Sequence, residues 1–310
     1  MSEQKSAIIR LFGVALLWGC NYVVSADLLN YFSPIFLSCA RISMTSIFLI
    51  LVALRVGGLR KPTKAEWALL AGAGIFGTLM NQVFYFTGLK ESTAANASLI
   101  IAMSPIVTTV LERVFLKVSL TASKVVGALF SLAGVVVIVV FAGQSIGVSV
   151  GDVYLLLAML GMSISLLFIR RLSGSMSPYS VTIFSTVLGS ALMVPAAVGE
   201  GMLGHSVVSA DIWPWLLMAV AGIVAQGMAG FWWNRGVAVT GAGTASMFMN
   251  IPPFIALIAG HFVLHNPIYI TQILGGVLVL SGVFIANQSA FRTPKPLPEV
   301  MESDLLEQSL

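Results

Sequence analysis

Residues 84 to 136 and 232 to 284 align without a gap, and the residues that bend a chain recur together: Gly88 with Gly236, Pro105 with Pro253, Gly127 with Gly275, Gly134 with Gly282. Each pair is 148 residues apart. Ala94 and Ala242, Ala97 and Ala245, and Ser98 and Ser246 keep the same register, while Ser33-Pro34 returns as Ser177-Pro178 at a separation of 144. A spacer longer by about four residues in the second half reconciles the two offsets. Only ten of the 53 gapless pairs are identical. The argument rests on which pairs they are, because Gly and Pro set backbone geometry. The chain reads as a duplicated unit.

The medium that unit occupies follows from composition. With 58% hydrophobic residues, 9% charged residues and a mean hydropathy of +0.98, the chain departs from soluble domains, where about a quarter of residues are charged. Apolar runs long enough to cross about 30 Å of hydrocarbon as helices lie near 9 to 27, 33 to 54, 67 to 87, 94 to 115, 121 to 141, 151 to 170, 178 to 199, 213 to 234, 242 to 264 and 267 to 288. The expected fold is therefore an all-α integral membrane protein of ten transmembrane helices, five per repeat. The alternating pattern of a β-barrel is absent. Residues 1–8 are expected as a cytoplasmic N-terminus, 9–141 as the first repeat, 142–150 as an extracytoplasmic linker, 151–288 as the second repeat and 289–310 as a disordered cytoplasmic tail. Cys20 and Cys39 fall within spans at no metal-binding spacing and are read as packing residues. Residues 1 to 25 mimic a signal peptide, yet duplication makes them an uncleaved helix, because their counterpart near 151 to 170 cannot be a signal.

Placing the N-terminus inside the cell gathers fourteen of the sixteen Lys and Arg residues in inner segments. The positive-inside rule then puts both termini in the cytoplasm, in a bacterial inner membrane or a plasma membrane. The formal charge of +4 is a topology signal, not a nucleic-acid footprint. Because five is odd, the second repeat inserts upside down relative to the first. Inverted repeats place a solute site near mid-membrane between the halves, open to each side in turn.

Trp18-Gly19-Cys20-Asn21-Tyr22, Ala40-Arg41-Ile42, Gly88-Leu89, Ala94 to Ser98 and Ser104-Pro105, with their echoes from Asn234-Arg235-Gly236 through Pro253 and Gly275 to Gly282, form a recognisable series. The series resembles the EamA-type branch of the drug/metabolite transporter superfamily over about residues 9 to 288. That resemblance implies ten helices in two inverted five-helix bundles, a central cavity, and export of small organic solutes, often amino acids or related metabolites. One departure stands out: where the family commonly carries Gly-Glu after helices four and nine, this chain has Lys117-Val118 and His265-Asn266. The counterpart of Trp18 is also changed, to Met162.

Arg41 is the basic side chain expected inside a span, roughly 12 Å from the outer start of helix two. Such a position costs about 2.5 to 3.5 kcal/mol on insertion scales. Either Arg41 faces a cavity and pairs with a substrate carboxylate or phosphate, or it snorkels to outer headgroups or helix carbonyls. Its repeat equivalent is Ser185, so such a grip would be one-sided. Asn21, Asn81, Gln82, Gln226 and Asn250, with Ser104, are amides and a hydroxyl at membrane depth. Each can serve as an interhelical hydrogen bond, but together they point to a wet cavity. Tyr22, Tyr85 and Trp232 would add aromatic surface, against the alternative of packing or interface belts. Pro105 and Pro253 must kink or unwind helices four and nine and are candidate hinges. Glu112 and His261 are candidate proton-coupling groups, with a lipid-interface position as the competing reading.

Two motifs are set aside. Gly72 to Gly77 fits G-x-G-x-x-G but lies in an apolar helix with no preceding strand, so small-residue packing explains it. Gly161-Met162-Ser163 resembles an intramembrane protease motif, whereas duplication argues against one asymmetric catalytic dyad. The expectation is a secondary transporter exporting a small metabolite by alternating access. Its partners are a small-molecule solute and the lipid bilayer, with no nucleic acid, no cofactor, no metal and no enzymatic activity. The alternatives are an intramembrane hydrolase, a non-transporting scaffold, or a carrier working by uptake or exchange.

Overall fold

The computed structural model describes residues 3–92, 94–140, 149–204, 206–264 and 269–292. Among them there is no strand, only an isolated bridge between Phe32 and Val208. The chain is all-helical, as continuous apolar sequence in lipid requires, because a helix satisfies its own backbone groups. In chain order come α1 (Glu3–Leu28), α2 (Pro34–Val56), α3 (Lys64–Gly74), α4 (Asn81–Glu91), α5 (Ala94–Ala102), α6 (Ser104–Phe115) and α7 (Ala122–Val140). The second half supplies α8 (Val150–Leu172), α9 (Pro178–Met202), α10 (Ile212–Ala221), α11 (Ala229–Thr240), α12 (Ala242–Met247), α13 (Pro252–Leu264) and α14 (Ile270–Arg292). Among the described residues, eight helical stretches are long and apolar enough to cross a membrane.

The other two expected spans are broken. In the run 94 to 115, Met103 forms a turn and Pro105 sits in the first turn of α6. In the run 242 to 264, a 3-10 turn at Phe248–Asn250 precedes Pro252 and Pro253, which open α13. A proline donates no backbone N–H and crowds the preceding turn, so each run continues as two shorter helices. A second paired irregularity was not anticipated. Between α3 and α4 lies a π-helical segment at Ile75–Met80, and between α10 and α11 another at Gly222–Met228, in register once the 148-residue offset is applied. π-turns widen a helix and favour functional sites.

The termini differ from expectation. α1 begins at Glu3, not near residue 9, and α14 runs to Arg292, so residues 289 to 292 are helical. Ser149 and Val150, placed in the linker by sequence, instead cap and open α8, where the Asp152 carboxylate accepts from the Ser149 N–H at 2.8 Å. Residues 142–148 of the linker and 293–310 of the tail lie outside the described residues. The repeated Ser-Pro pair does the same work twice: Ser33 and Ser177 are N-caps in extended backbone, at φ −67° and −64°, each followed by proline at the first helical position. Glu200 then reaches from α9 to the start of α2, accepting hydrogen bonds from Ser33 Oγ and Phe36 N, both at 2.8 Å.

The principal pairings run between the halves and not within them. α7 packs on α14, α2 on α9, α4 on α8, α1 on α11 and α6 on α12. Exchanging the halves turns α7 on α14 and α2 on α9 into themselves and α4 on α8 into α1 on α11, whereas α6 on α12 has no comparably extensive counterpart between α13 and α5. The α7 to α14 seam is the tightest: a Cβ on Gly134 would sit 2.5 Å from the Gly275 carbonyl oxygen, and Gly127 and Gly282 block each other in the same way. Since 127 meets 282 while 134 meets 275, the two helices run antiparallel. Ser131 Oγ donates to the Val279 carbonyl at 3.2 Å, between positions related by the same offset. Gly72 faces Phe168 and Gly77 faces Ser165, so the run from Gly72 to Gly77 is a packing surface.

Contacts also join the basic segments at one end. Arg60 pairs with Glu66 and reaches the Ser175 carbonyl, Arg235 pairs with Glu3 at 2.7 Å, and Arg170 binds the carbonyls that end α11. At this basic end Lys117, where the family pattern has glycine, adopts φ +55° after α6. A left-handed residue with a Cβ is strained by about 1 to 2 kcal/mol. Lys117→Gly is expected to raise stability by about 1 kcal/mol after the entropy glycine adds to the unfolded chain. Thermal melting in detergent checks this, and a lower melting temperature would count against it.

Candidate functional site

Two adjoining hollows, of about 420 and 320 Å³, occupy the seam between the halves. Both are lined by Asn21, Arg41, Asn81, Gln82, Met162 and Met249. The larger extends past Ser25 and Tyr85 toward Leu29, Leu37 and Phe86, and the smaller past Trp18, Thr78, Gln226 and Trp233 toward Ile169. Each volume suits a small metabolite.

The backbone irregularities place these side chains. The π-segment at Ile75–Met80 precedes Asn81 and Gln82, and its counterpart contains Gln226, the equivalent of Thr78. Asn81 Nδ2 donates to the Ala158 carbonyl at 3.0 Å, and Gln82 Oε1 accepts from Ser38 Oγ at 3.3 Å. Each amide is held by one bond, leaving further donor or acceptor capacity. Trp18 Nε1 donates to the Ala225 carbonyl at 2.8 Å, inside the second π-segment, and its ring lies 4.9 Å from that of Trp233.

Arg41 is 6% exposed and donates from Nη1 to Ser25 Oγ at 2.8 Å. A guanidinium snorkelling to outer headgroups would be exposed at the bundle surface. Arg41 instead lines both hollows. Asn21 presents a buried Oδ1 without a hydrogen-bond partner among the described residues. A cation and an open acceptor thus share one wall.

Of the residues singled out by sequence, Asn21, Arg41, Asn81, Gln82, Tyr85, Ser104 and Gln226 line the hollows. Others lie elsewhere. Asn250 is buried beside its repeat equivalent and donates to the Ala102 carbonyl at 3.4 Å, a packing bond. Trp232 covers Gly13 of α1 while its neighbour Trp233 faces the smaller hollow. His261 is exposed, its ring 5.4 Å from that of Phe262. Pro105 and Pro253 shape the breaks and line neither of these two hollows, and the side chain of Tyr22 lies outside those described. Glu112, expected near a lipid interface, is instead buried between the halves. Ser163 is fully buried, sharing an interhelical hydrogen bond with Ser104 and donating within α8 to the Met159 sulfur.

Sequence reasoning missed Met159, Met162, Met249, Thr78 and Ser165, although a signal existed. Trp18 and Met162, Asn21 and Ser165, Arg41 and Ser185, Thr78 and Gln226, and Tyr85 and Trp233 are pairs under the repeat offsets, and both members of each pair line the hollows. Carrying Trp18, Asn21 and Gln226 across the duplication would have found Met162, Ser165 and Thr78, but not Met159 or Met249, whose equivalents are Ala15 and Ile101.

Comparison with known proteins agrees with this picture. The model of the EamA-like transporter family matches residues 5–140 and 149–288, one copy per half. The uncharacterized transporter YyaM of Bacillus subtilis (strain 168) is 26% identical over 301 residues, covering 94% of this chain and 97% of that one. An uncharacterized transporter of Archaeoglobus fulgidus is 27% identical over 271 residues, covering 86% and 94%. The WAT1-related protein At4g01430 of Arabidopsis thaliana is 23% identical over 245 residues, covering 69% and 67%. A crystal structure of another protein superposes with a TM-score of 0.74 at 21% identity, covering 93% of this chain and 98% of that one, so the fold is shared.

Proposed function

Since the chain belongs to the EamA-like transporter family, with both halves matched, we propose that it is a secondary carrier that exports a small amphipathic metabolite, an amino acid or a close relative, by alternating access. The broken runs at 94 to 115 and 242 to 264 complete ten membrane crossings, and the second half inserts upside down relative to the first, with both termini in the cytoplasm. The antiparallel packing of α7 on α14, two equivalent helices, supports that inversion. The basic residues collected at one end support its orientation.

The observation that carries the substrate reading is the asymmetry of a symmetric cavity. Positions related by the duplication face the same hollow, but one side offers Arg41 and Asn21 where the other offers Ser185 and Ser165, and the equivalents of Asn81 and Gln82, which are Ala229 and Gly230, line neither hollow. The Arg41 guanidinium matches a carboxylate, and Asn21 Oδ1 accepts from an ammonium group. Trp18, Trp233, Met162 and Met249 cover an apolar side chain. Alternating access needs each half to shift against the other, and the breaks at Met103 and Phe248–Asn250 lie where a helix can flex without losing continuous hydrogen bonds.

Proteoliposome flux of a panel of labelled amino acids and their analogues is the test. Saturable flux of at least one member, outward in cells that overproduce the chain, is expected. Flux equal to empty vesicles across amino acids, amines and organic acids would refute the carrier reading.

A further inference from the structure

At the basic end of the bundle a buried carboxylate joins the two halves. Glu112, in the last turns of α6, is 1% exposed. Its Oε1 accepts from the Ala242 N–H at 2.7 Å, across the seam, and its Oε2 lies 3.7 Å from Lys124 Nζ on α7. The approach depends on glycine. Gly241 takes φ +90°, open to few other residues, and a Cβ on Gly243 would stand 2.7 Å from both Glu112 Oε2 and Thr109 Oγ1. All six residues of α12 are buried, and neither hollow is lined by any residue of α12 or by any residue of α6 beyond Ser104. Along these two runs the hollows stop at Ser104 and at Met249, and from there toward the basic end α6 and α12 pack on each other, while on α8 the smaller hollow reaches Ile169.

We infer that Glu112 is a proton-sensitive latch: its ionised carboxylate holds α6 of one half against α12 of the other and keeps the hollow shut toward the basic end, and protonation releases it. This rests on the alternating-access reading above. The chemistry follows from the partners. An ionised carboxylate makes a charge-assisted hydrogen bond to Ala242 N and attracts Lys124, and a neutral carboxyl does both weakly. Of the elements packed on α6, α7 presents Lys124 and α8 carries Arg170, which is within electrostatic reach, whereas α5 and α12 carry no charged residue. Arg113 and Arg171 nearby are exposed. Among the described residues, the charged side chains facing Glu112 are thus positive, and adding a proton to Glu112 removes the negative charge that they and Ala242 N hold in that layer. In transport, a proton entering from the basic end would unlatch that end, and its loss would relatch it. The proton taken from solvent is returned to solvent, so the step needs no other reactant.

The test reads which face reaches the hollow. In a background with Cys20→Ala and Cys39→Ala, Ser185→Cys places an isosteric thiol in the smaller hollow, and a membrane-impermeant maleimide is added to either face of sealed vesicles. Rates from the basic face are expressed relative to those from the opposite face, which cancels the pH dependence of the thiol. Glu112→Ala should raise that ratio about tenfold, as loss of one charge-assisted hydrogen bond implies. Gly243→Ala, whose methyl group wedges the carboxylate out, should raise it too. In the native background the ratio should climb as the medium is acidified, and in Glu112→Gln it should be raised and flat with pH. Native labelling from the opposite face certifies that each variant is folded, and if Glu112→Ala is not, the isosteric Gln variant and the native pH profile decide. An unchanged ratio in these variants with a flat native profile would overturn the latch and leave the carrier reading standing. No labelling from either face would remove the hollow itself and both readings with it.

Discussion

Arg41→Ala is expected to lower the flux of an anionic or zwitterionic solute by about 10- to 100-fold, the equivalent of losing a hydrogen bond to a charged group at about 1.5 to 3 kcal/mol. The same variant should melt no lower than the native protein and about as readily higher, because the side chain it removes costs about 2.5 to 3.5 kcal/mol to hold at membrane depth. Arg41 is buried, bonded to Ser25 Oγ and shared by both hollows, so its loss removes the cationic point in the cavity wall. Arg41→Lys should recover only part of the flux, since an ammonium group lacks the planar fork that grips a carboxylate at two points. The decisive pairing is flux in proteoliposomes with melting in detergent. Native flux in a stable Arg41→Ala protein would end the arginine's role in binding, and a parallel collapse of stability would recast it as a structural residue.

Gly134→Val should yield little folded protein. The Cβ of any residue there would meet the Gly275 carbonyl oxygen at 2.5 Å and the Val279 backbone nitrogen at 2.7 Å. These are backbone atoms, which cannot turn aside as a side chain can. Overpacking of about 1 to 3 kcal/mol per site is usual where side chains yield, and a seam of two apposed backbones yields less. α7 and α14 should separate, and the protein should lose its monodisperse peak on size exclusion. The control is Gly199→Ala, in α9, where an added Cβ meets nothing within 4 Å and the loss of glycine's flexibility should stabilise by about 0.5 to 1 kcal/mol. A Gly134→Val protein that melts like the native one would mean that the α7 to α14 seam is loose.

The legible part of the site followed the physics of polar groups in hydrocarbon. Asn21, Arg41, Asn81, Gln82 and Gln226 stood out in sequence because an amide or a guanidinium at membrane depth needs a partner or water, and all five line the hollows. The methionines gave no such signal. Met159, Met162 and Met249 are apolar in an apolar chain, and whether such a residue faces lipid, core or cavity depends on helix rotation, which neighbouring helices set. Trp232 and Trp233 show the limit plainly: adjacent in sequence, they point to different surroundings, one over Gly13 and one into the hollow. Glu112 was misplaced for a related reason. Read along α6 it ends a helix beside Arg113, and only the fold brings Ala242 from 130 residues away to meet it.

By itself the sequence determined the medium, the repeat and the sites of backbone interruption, because hydropathy, duplication and proline act through local chemistry and chain geometry that need no partner. The tertiary structure alone decided that the two halves interleave, that π-segments at Ile75–Met80 and Gly222–Met228 swing the amides into the seam, and that chemically unlike equivalents such as Arg41 and Ser185 face one hollow. Those outcomes depend on which helix faces meet, and a face is chosen by the summed packing of both halves, not by any one residue's preference.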